Sequence, residues 1–175
     1  MRSRASSSAT LPIAHVVLRI LVVLNWMTCA LVLALLFLAP NREWIISALK
    51  LSPSLEADRV IFGLRAIAVI SLGTVPLHYG VLKRLLAMVE TVRAGDPFVA
   101  ENARRLQTIA WLLLTLQLVG LVIAAIVKTI STPAHPVDID AGFSVNGWLA
   151  VLLTFLLARV FAEGARMRDD LAGTV

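Results

Sequence analysis

Polar side chains inside apolar segments are the first places to look for chemistry in this chain. Four of them lie at a similar depth, about eight or nine residues from the same end of their segments, or roughly 12 to 14 Å at 1.5 Å per helical residue. They are Asn25, Thr74, Gln117 and Thr154. Such a layer can hold a substrate or an ion, or it can join helices by hydrogen bonds of about 0.6 to 2 kcal/mol each. Hydrogen bonding between helices is the favoured interpretation.

Histidine and carboxylate side chains offer two other kinds of site. His15 and His78 fall near the same end of their segments, as the axial ligands of a b-type haem would. His135, Asp138 and Asp140 share a proline-flanked segment in which they could hold a metal ion. Neither set has the ligand number and spacing that specify a site. We therefore predict no cofactor and no metal site.

The sequence contains none of the common catalytic motifs. There is no HExxH, GxSxG, Walker or dinucleotide-binding pattern. Every Asp and Glu lies outside the long uncharged runs, whereas an intramembrane protease or proton relay needs carboxylates within them. We predict that the protein is not an enzyme and has no catalytic residues.

Four long uncharged runs must position these side chains, at residues 20–40, 66–82, 106–127 and 141–158. Each has about the 17 to 25 residues that a helix needs to cross a bilayer. Of the 175 residues, 59% are apolar and 15% are charged, which excludes a soluble protein. We predict one all-α integral membrane domain, a bundle of four transmembrane helices with spans near 16–39, 60–82, 107–128 and 144–162.

Lysine and arginine residues give the bundle a direction. Four lie at one end, at Arg42, Lys50, Arg59 and Lys128. Eleven lie at the other, namely Arg2, Arg4, Arg19, Lys83, Arg84, Arg93, Arg104, Arg105, Arg159, Arg166 and Arg168. The positive-inside rule places the richer end, and with it both termini, in the cytoplasm. Because the net charge of +5 has this explanation and no basic face with readout elements is visible, we predict no direct nucleic-acid binding.

The segment between the second and third spans has the pattern of a helical hairpin. Apolar residues recur at helical spacing over 82–92, so the second helix should continue past the membrane. Gly95 is a typical helix stop, while Asp96 and Pro97 are favoured at the start of a new helix. Residues 83–106 are therefore predicted to form a cytoplasmic amphipathic hairpin that extends into water or lies in the headgroup layer.

Opposite charges on this hairpin and on the C-terminal tail, residues 163–175, predict that the tail docks on the hairpin. A surface for a partner protein is the alternative for the same residues. The candidate cytoplasmic interaction surface consists of Asp96, Pro97, Phe98, Glu101, Asn102, Arg104, Arg105, Glu163, Arg166, Arg168, Asp169 and Asp170.

Two stretches of this surface resemble a known family. Residues 95–106, GDPFVAENARRL, and residues 157–171, LARVFAEGARMRDDL, are similar to signatures of domain-of-unknown-function family 2975. The resemblance covers about the last two thirds of the chain. It implies a small four-span protein of the bacterial inner membrane, often encoded beside a helix-turn-helix regulator, which makes such a regulator a candidate cytoplasmic partner.

Two functions are compatible with these patterns. The leading hypothesis is a non-enzymatic regulatory or interaction protein that acts through its cytoplasmic face, in contact with membrane lipid. The alternative is a small transporter or channel subunit. That role would require a homo-oligomer, because four short helices enclose little lumen.

Overall fold

The computed structural model describes residues 7–38, 42–48, 55–131 and 142–172, and all the regular secondary structure within them is α-helical. The five helices are α1 (Ser7–Leu38), α2 (Arg42–Ala48), α3 (Leu55–Arg93), α4 (Ala100–Ile130) and α5 (Val145–Ala172). The all-α prediction is confirmed. The short α2 lies between the first two predicted spans.

Four of the helices, α1, α3, α4 and α5, are long and apolar enough to cross a membrane. A helix satisfies its own backbone donors and acceptors, which hydrocarbon cannot do. The chain is therefore a multi-pass membrane protein, as its uncharged runs predict. At 39 residues, α3 is about 58 Å long, whereas a hydrocarbon core is about 30 Å thick. It continues well beyond its uncharged run and forms the first arm of the hairpin.

The long helices lie side by side in chain order. α3 packs against α1 on one side and α4 on the other, and α5 packs against α4. Among the described residues, no Cα atom of α1 lies within 8 Å of α4 or α5, and none of α3 lies that close to α5. The four-helix membrane domain is therefore an open row. At one end of the row, α3 is connected to α4 and α5 comes to its end. We call this the hairpin end.

Small side chains are buried on both α4 and α5. Ala103 and Ala110 are buried on α4, as are Ala158 and Ala165 on α5. Helices in lipid gain most from such close approach, because lipid tails are as apolar as the side chains themselves. Larger groups complete the α4–α5 seam, where the rings of Trp111 and Phe155 meet edge to face with centroids 5.3 Å apart.

The first helix makes a narrower contact. Its half-buried positions recur every three or four residues, which is the spacing of one helical seam, and none of its described side chains is fully buried. The rings of Trp26 and Tyr79 meet across the α1–α3 seam, with centroids 5.8 Å apart. The remaining faces of α1 carry exposed aliphatic side chains that suit lipid contact.

Overpacking the α4 seam should separate these helices. Ala110 has no exposed surface, so Ala110→Leu forces extra methyl groups into a close contact and is expected to cost about 1 to 3 kcal/mol of unfolding free energy. Denaturant titration of the protein in detergent micelles measures the change. Ala125→Leu is the matched control because Ala125 is exposed on the same helix. Equal stability of the two variants would contradict the packing described here.

Candidate interaction surface

The turn between α3 and α4 is built by backbone geometry. Gly95 has φ +85°, a left-handed conformation that other residues rarely adopt. Its N–H donates to the Val92 carbonyl at 3.1 Å, and the Asp96 N–H donates to the Thr91 carbonyl at 3.0 Å. This pair of bonds is the Schellman motif, which satisfies carbonyls left free at a helix end. The predicted helix stop at Gly95 is confirmed.

The start of the next helix differs from the prediction. α4 begins at Ala100 after Val99, which has an extended backbone and no side-chain capping bond. The Asp96 carboxylate instead accepts a hydrogen bond from Arg168 of α5. Asp96 and Pro97 therefore belong to a short extended link between the two arms of the hairpin.

Asn102 holds this link in place from inside. Its side chain is wholly buried, and it is the one buried polar or charged residue in the described part of the chain. Its Nδ2 donates to Thr91 Oγ1 at 2.7 Å and to the Pro97 carbonyl at 2.9 Å. Its Oδ1 accepts from Arg105 at 2.8 Å. Asn102 is thus a structural residue, and its assignment to an interaction surface is wrong because no part of it is accessible.

The neighbouring arginines have separate roles. Arg105 is half-buried, and its guanidinium also lies 3.4 Å from the Ala87 carbonyl of α3, so it joins the two arms of the hairpin. Arg104 is exposed and pairs with Glu101 on its own helix at 3.0 Å. Of the two, only Arg104 is available at the surface.

The end of α5 docks on the hairpin through five residues. Phe98 stacks at a tilt on Phe161, with ring centroids 5.2 Å apart. A Cβ atom at Gly164 would approach the Phe98 ring to 3.0 Å, so glycine allows the ring to lie close to α5. The Asp96–Arg168 ion pair lies beside these rings along α5. We call this set, Asp96, Phe98, Phe161, Gly164 and Arg168, the hairpin–α5 contact.

One ion pair joins the hairpin to α5, Asp96 with Arg168, as the opposite charges of the two segments predict. Glu163 instead lies 3.8 Å from Arg166 on the same helix. Glu163, Arg166, Asp169 and Asp170 are exposed. The candidate surface therefore divides into residues that hold the hairpin to α5 and residues that face outward.

Phe161 and Gly164 were absent from the predicted site although both lie in one of the quoted family stretches. Their spacing of three residues, continued by Arg168 four residues later, places all three on one side of α5. From this spacing alone, Phe161 and Gly164 could have been assigned to the same face as Arg168. The partner, Phe98, could not be identified from it because the register between hairpin and α5 is a tertiary property.

The four intramembrane polar residues do not form one level. Asn25 Nδ2 donates to the Val75 carbonyl of α3 at 3.2 Å, the interhelical bond expected for it. The Gln117 amide packs directly against Gly147 of α5. Thr154 lies seven residues from Gly147, or about 10 Å along the helix, so it is well away from Gln117. Counting from the ends of the uncharged runs missed this offset because packing sets the register of α5.

The two threonines of this group use their hydroxyls locally. Thr74 Oγ1 donates to the Ser71 carbonyl and Thr154 Oγ1 to the Ala150 carbonyl, each at 2.7 Å. Both bonds are made within the residue's own helix, which is a common way to satisfy a hydroxyl in lipid. These two residues therefore add no bond between helices in the structure.

The structure does not bring the two histidines together. His15 lies opposite Glu90, with Nε2 and Oε1 4.0 Å apart, whereas His78 is three helical turns back along α3 and bonds the Thr74 carbonyl at 2.9 Å. The described residues contain no cluster of three or more His, Cys, Asp or Glu side chains suited to a metal. His135, Asp138 and Asp140 lie outside the described residues.

The chain matches one protein family over residues 40–175, which include α2 to α5 and the whole hairpin–α5 contact. The chain belongs to the DUF2975 family, described as proteins of unknown function. No curated protein and no solved structure matches it. The match contains both stretches on which the resemblance was based, and it leaves out α1, the helix with the narrowest packing.

Removing the buried amide should loosen the hairpin. Asn102→Leu removes the bonds that Asn102 makes with Thr91 Oγ1, the Pro97 carbonyl and Arg105, and a buried polar group that is left unsatisfied costs about 1 to 3 kcal/mol. We expect a lower unfolding midpoint in detergent and faster amide exchange at residues 95–99. Asn146→Leu, at an exposed position of α5, is the control. Unchanged exchange in the Asn102 variant would contradict the structural role.

Proposed function

We propose that this protein is a non-enzymatic regulatory or interaction protein of the bacterial inner membrane, and that its hairpin end is a cytoplasmic surface for a partner protein. The observation that carries the proposal is the hairpin–α5 contact. It joins two segments 72 residues apart through an exposed ion pair and an aromatic stack, next to a buried polar residue. Exposed ion pairs are weak, so a partner can compete for them.

The distribution of polar and charged side chains supports a binding surface at the hairpin end. The residues that the two family stretches share with the candidate surface all lie at the hairpin end, where Arg104, Arg166 and Asp169 face outward. The spanning parts of the helices instead expose large aliphatic side chains. Specific recognition of a water-soluble partner needs polar and charged groups with fixed geometry, and these are concentrated at one end.

The kind of partner follows from the charges of that surface. Its outward side chains carry both signs at close spacing, so a protein with alternating charges fits it better than a polyanion such as nucleic acid. A small helix-turn-helix regulator, the gene neighbour that the family resemblance implies, is our candidate. A second copy of the chain is the other partner that a crosslinking experiment can reveal.

The alternative function is a small transporter or channel subunit. The open row is compatible with a transporter only if several copies assemble. Its helices pack in chain order without closing on themselves, so they enclose no lumen among the described residues. Asn25→Leu with Gln117→Leu should abolish transport in that case and leave partner binding intact. Deleting residues 166–175 should have the reverse effect if the interaction function is correct.

Site-specific photo-crosslinking in native membranes tests the proposal. A photoreactive side chain in place of exposed Glu163 should give a discrete adduct with another protein, whereas the same group in place of lipid-facing Leu118 should not. Asp96→Arg should reduce the adduct severalfold, because it places two like charges together. The exchanged pair Asp96→Arg with Arg168→Asp should restore it. Adducts with lipid alone, or a yield of protein adduct that Asp96→Arg leaves unchanged, would overturn the interaction role.

The proposed orientation can be tested separately. In a Cys29→Ala background, Phe143→Cys should react with a membrane-impermeant maleimide added to intact cells, since Phe143 is exposed at the end opposite the hairpin. Arg93→Cys should react only after the cells are permeabilised. The opposite result would place the hairpin outside the cell and refute a cytoplasmic partner.

A further inference from the structure

A groove of about 910 Å³ lies between α4 and α5 at the hairpin end. Small side chains, among them Ala158 and Ala162, form its floor. Three arginines line it, Arg104, Arg159 and Arg166, against one carboxylate, Asp169. These four lining side chains alone sum to a formal charge of +2. Arg104 and Arg166, however, also pair with Glu101 and Glu163, which leaves Arg159 as the main free cation of the groove among the described residues.

The groove is apolar along one part of its length and basic along the other. Phe155 and Leu156 line the part that lies within the uncharged run 141–158, which is membrane-spanning sequence. Arg159 is the first charged residue after that run, and Arg166 lies about two turns further along α5. A groove that is apolar at membrane depth and basic at the boundary has the polarity profile of an amphiphile with an anionic head.

We propose that this groove is a binding site for an anionic phospholipid, with the phosphate at the arginines and an acyl chain along the apolar wall. Guanidinium groups bind phosphate oxygens with paired hydrogen bonds, and positions at the membrane surface favour anionic lipid. Arg159 has no ion pair among the described residues, so its charge is available to a ligand. A free phosphate would fill only the basic part and leave the apolar part without an occupant.

The site is separate from the hairpin–α5 contact. At 100° per residue, Ala158, Ala162 and Asp169 lie on one side of α5, while Phe161 and Arg168 lie about 60° to 120° away around the helix. A lipid in the groove therefore leaves the Asp96–Arg168 pair in place. The inference goes beyond the proposed function and does not depend on it.

Native mass spectrometry of the purified full-length protein provides the test. With equal amounts of phosphatidylglycerol and phosphatidylcholine, the wild-type protein should retain mainly phosphatidylglycerol. Arg159→Gln with Arg166→Gln should weaken that retention about 25-fold, taking about fivefold for each basic residue at the surface. Arg93→Gln with Lys128→Gln removes the same charge outside the groove and should change retention little. Equal retention of the two lipids, or equal loss in the control variant, would overturn the site.

A variant that is expected to bind phosphatidylglycerol more tightly distinguishes loss of the site from misfolding. Asp169→Asn removes the only carboxylate of the groove and should strengthen phosphatidylglycerol retention about fivefold, which a damaged fold cannot produce. Inorganic phosphate at millimolar concentration distinguishes the two sources of the anion. Retention that persists in phosphate supports a lipid site, whereas complete displacement, or no gain from Asp169→Asn, refutes it.

Discussion

The buried side chain of Asn102 is the interaction on which the hairpin end depends. It binds α3 through Thr91, the link through the Pro97 carbonyl and α4 through Arg105, so one amide connects three consecutive segments. A buried amide must have partners, and this arrangement of the hairpin supplies one for both its nitrogen and its oxygen. With the link held in this way, Phe98 and Asp96 reach α5, and the last turns of α5 are positioned by that contact.

The membrane part follows a different rule. Lipid offers no hydrophobic gain for helix association, so helices pair where small side chains allow close approach. The buried alanines of α4 and α5 meet this requirement, and Gly147 accommodates the Gln117 amide. The two outer helices of the row, α1 and α5, need not pack against each other, because lipid can cover their remaining apolar faces. The open arrangement leaves room for lipid between helices, as in the groove beside Arg159 and Arg166.

Much of this architecture could be predicted from local sequence features. The uncharged runs predicted the four long helices, and Gly95 predicted the end of α3, because both features act through the backbone of a few neighbouring residues. The predicted start of α4 at Asp96 failed for a tertiary reason, since that carboxylate pairs with Arg168 and the link is held extended by Asn102. The matched depth of Thr154 and Gln117 failed because the register of α5 is set by its packing on α4.

Contiguous residues were enough to identify a four-span membrane protein of the DUF2975 family, because length, apolarity and two motif stretches are local properties of the chain. Which of the polar residues are structural and which face outward depends on how the helices pack. Asn102, Arg104 and Arg105 are near neighbours in sequence, yet one is buried, one exposed and one half-buried. Burial depends on what the other helices place against a residue, and that is fixed only when α3, α4 and α5 pack together.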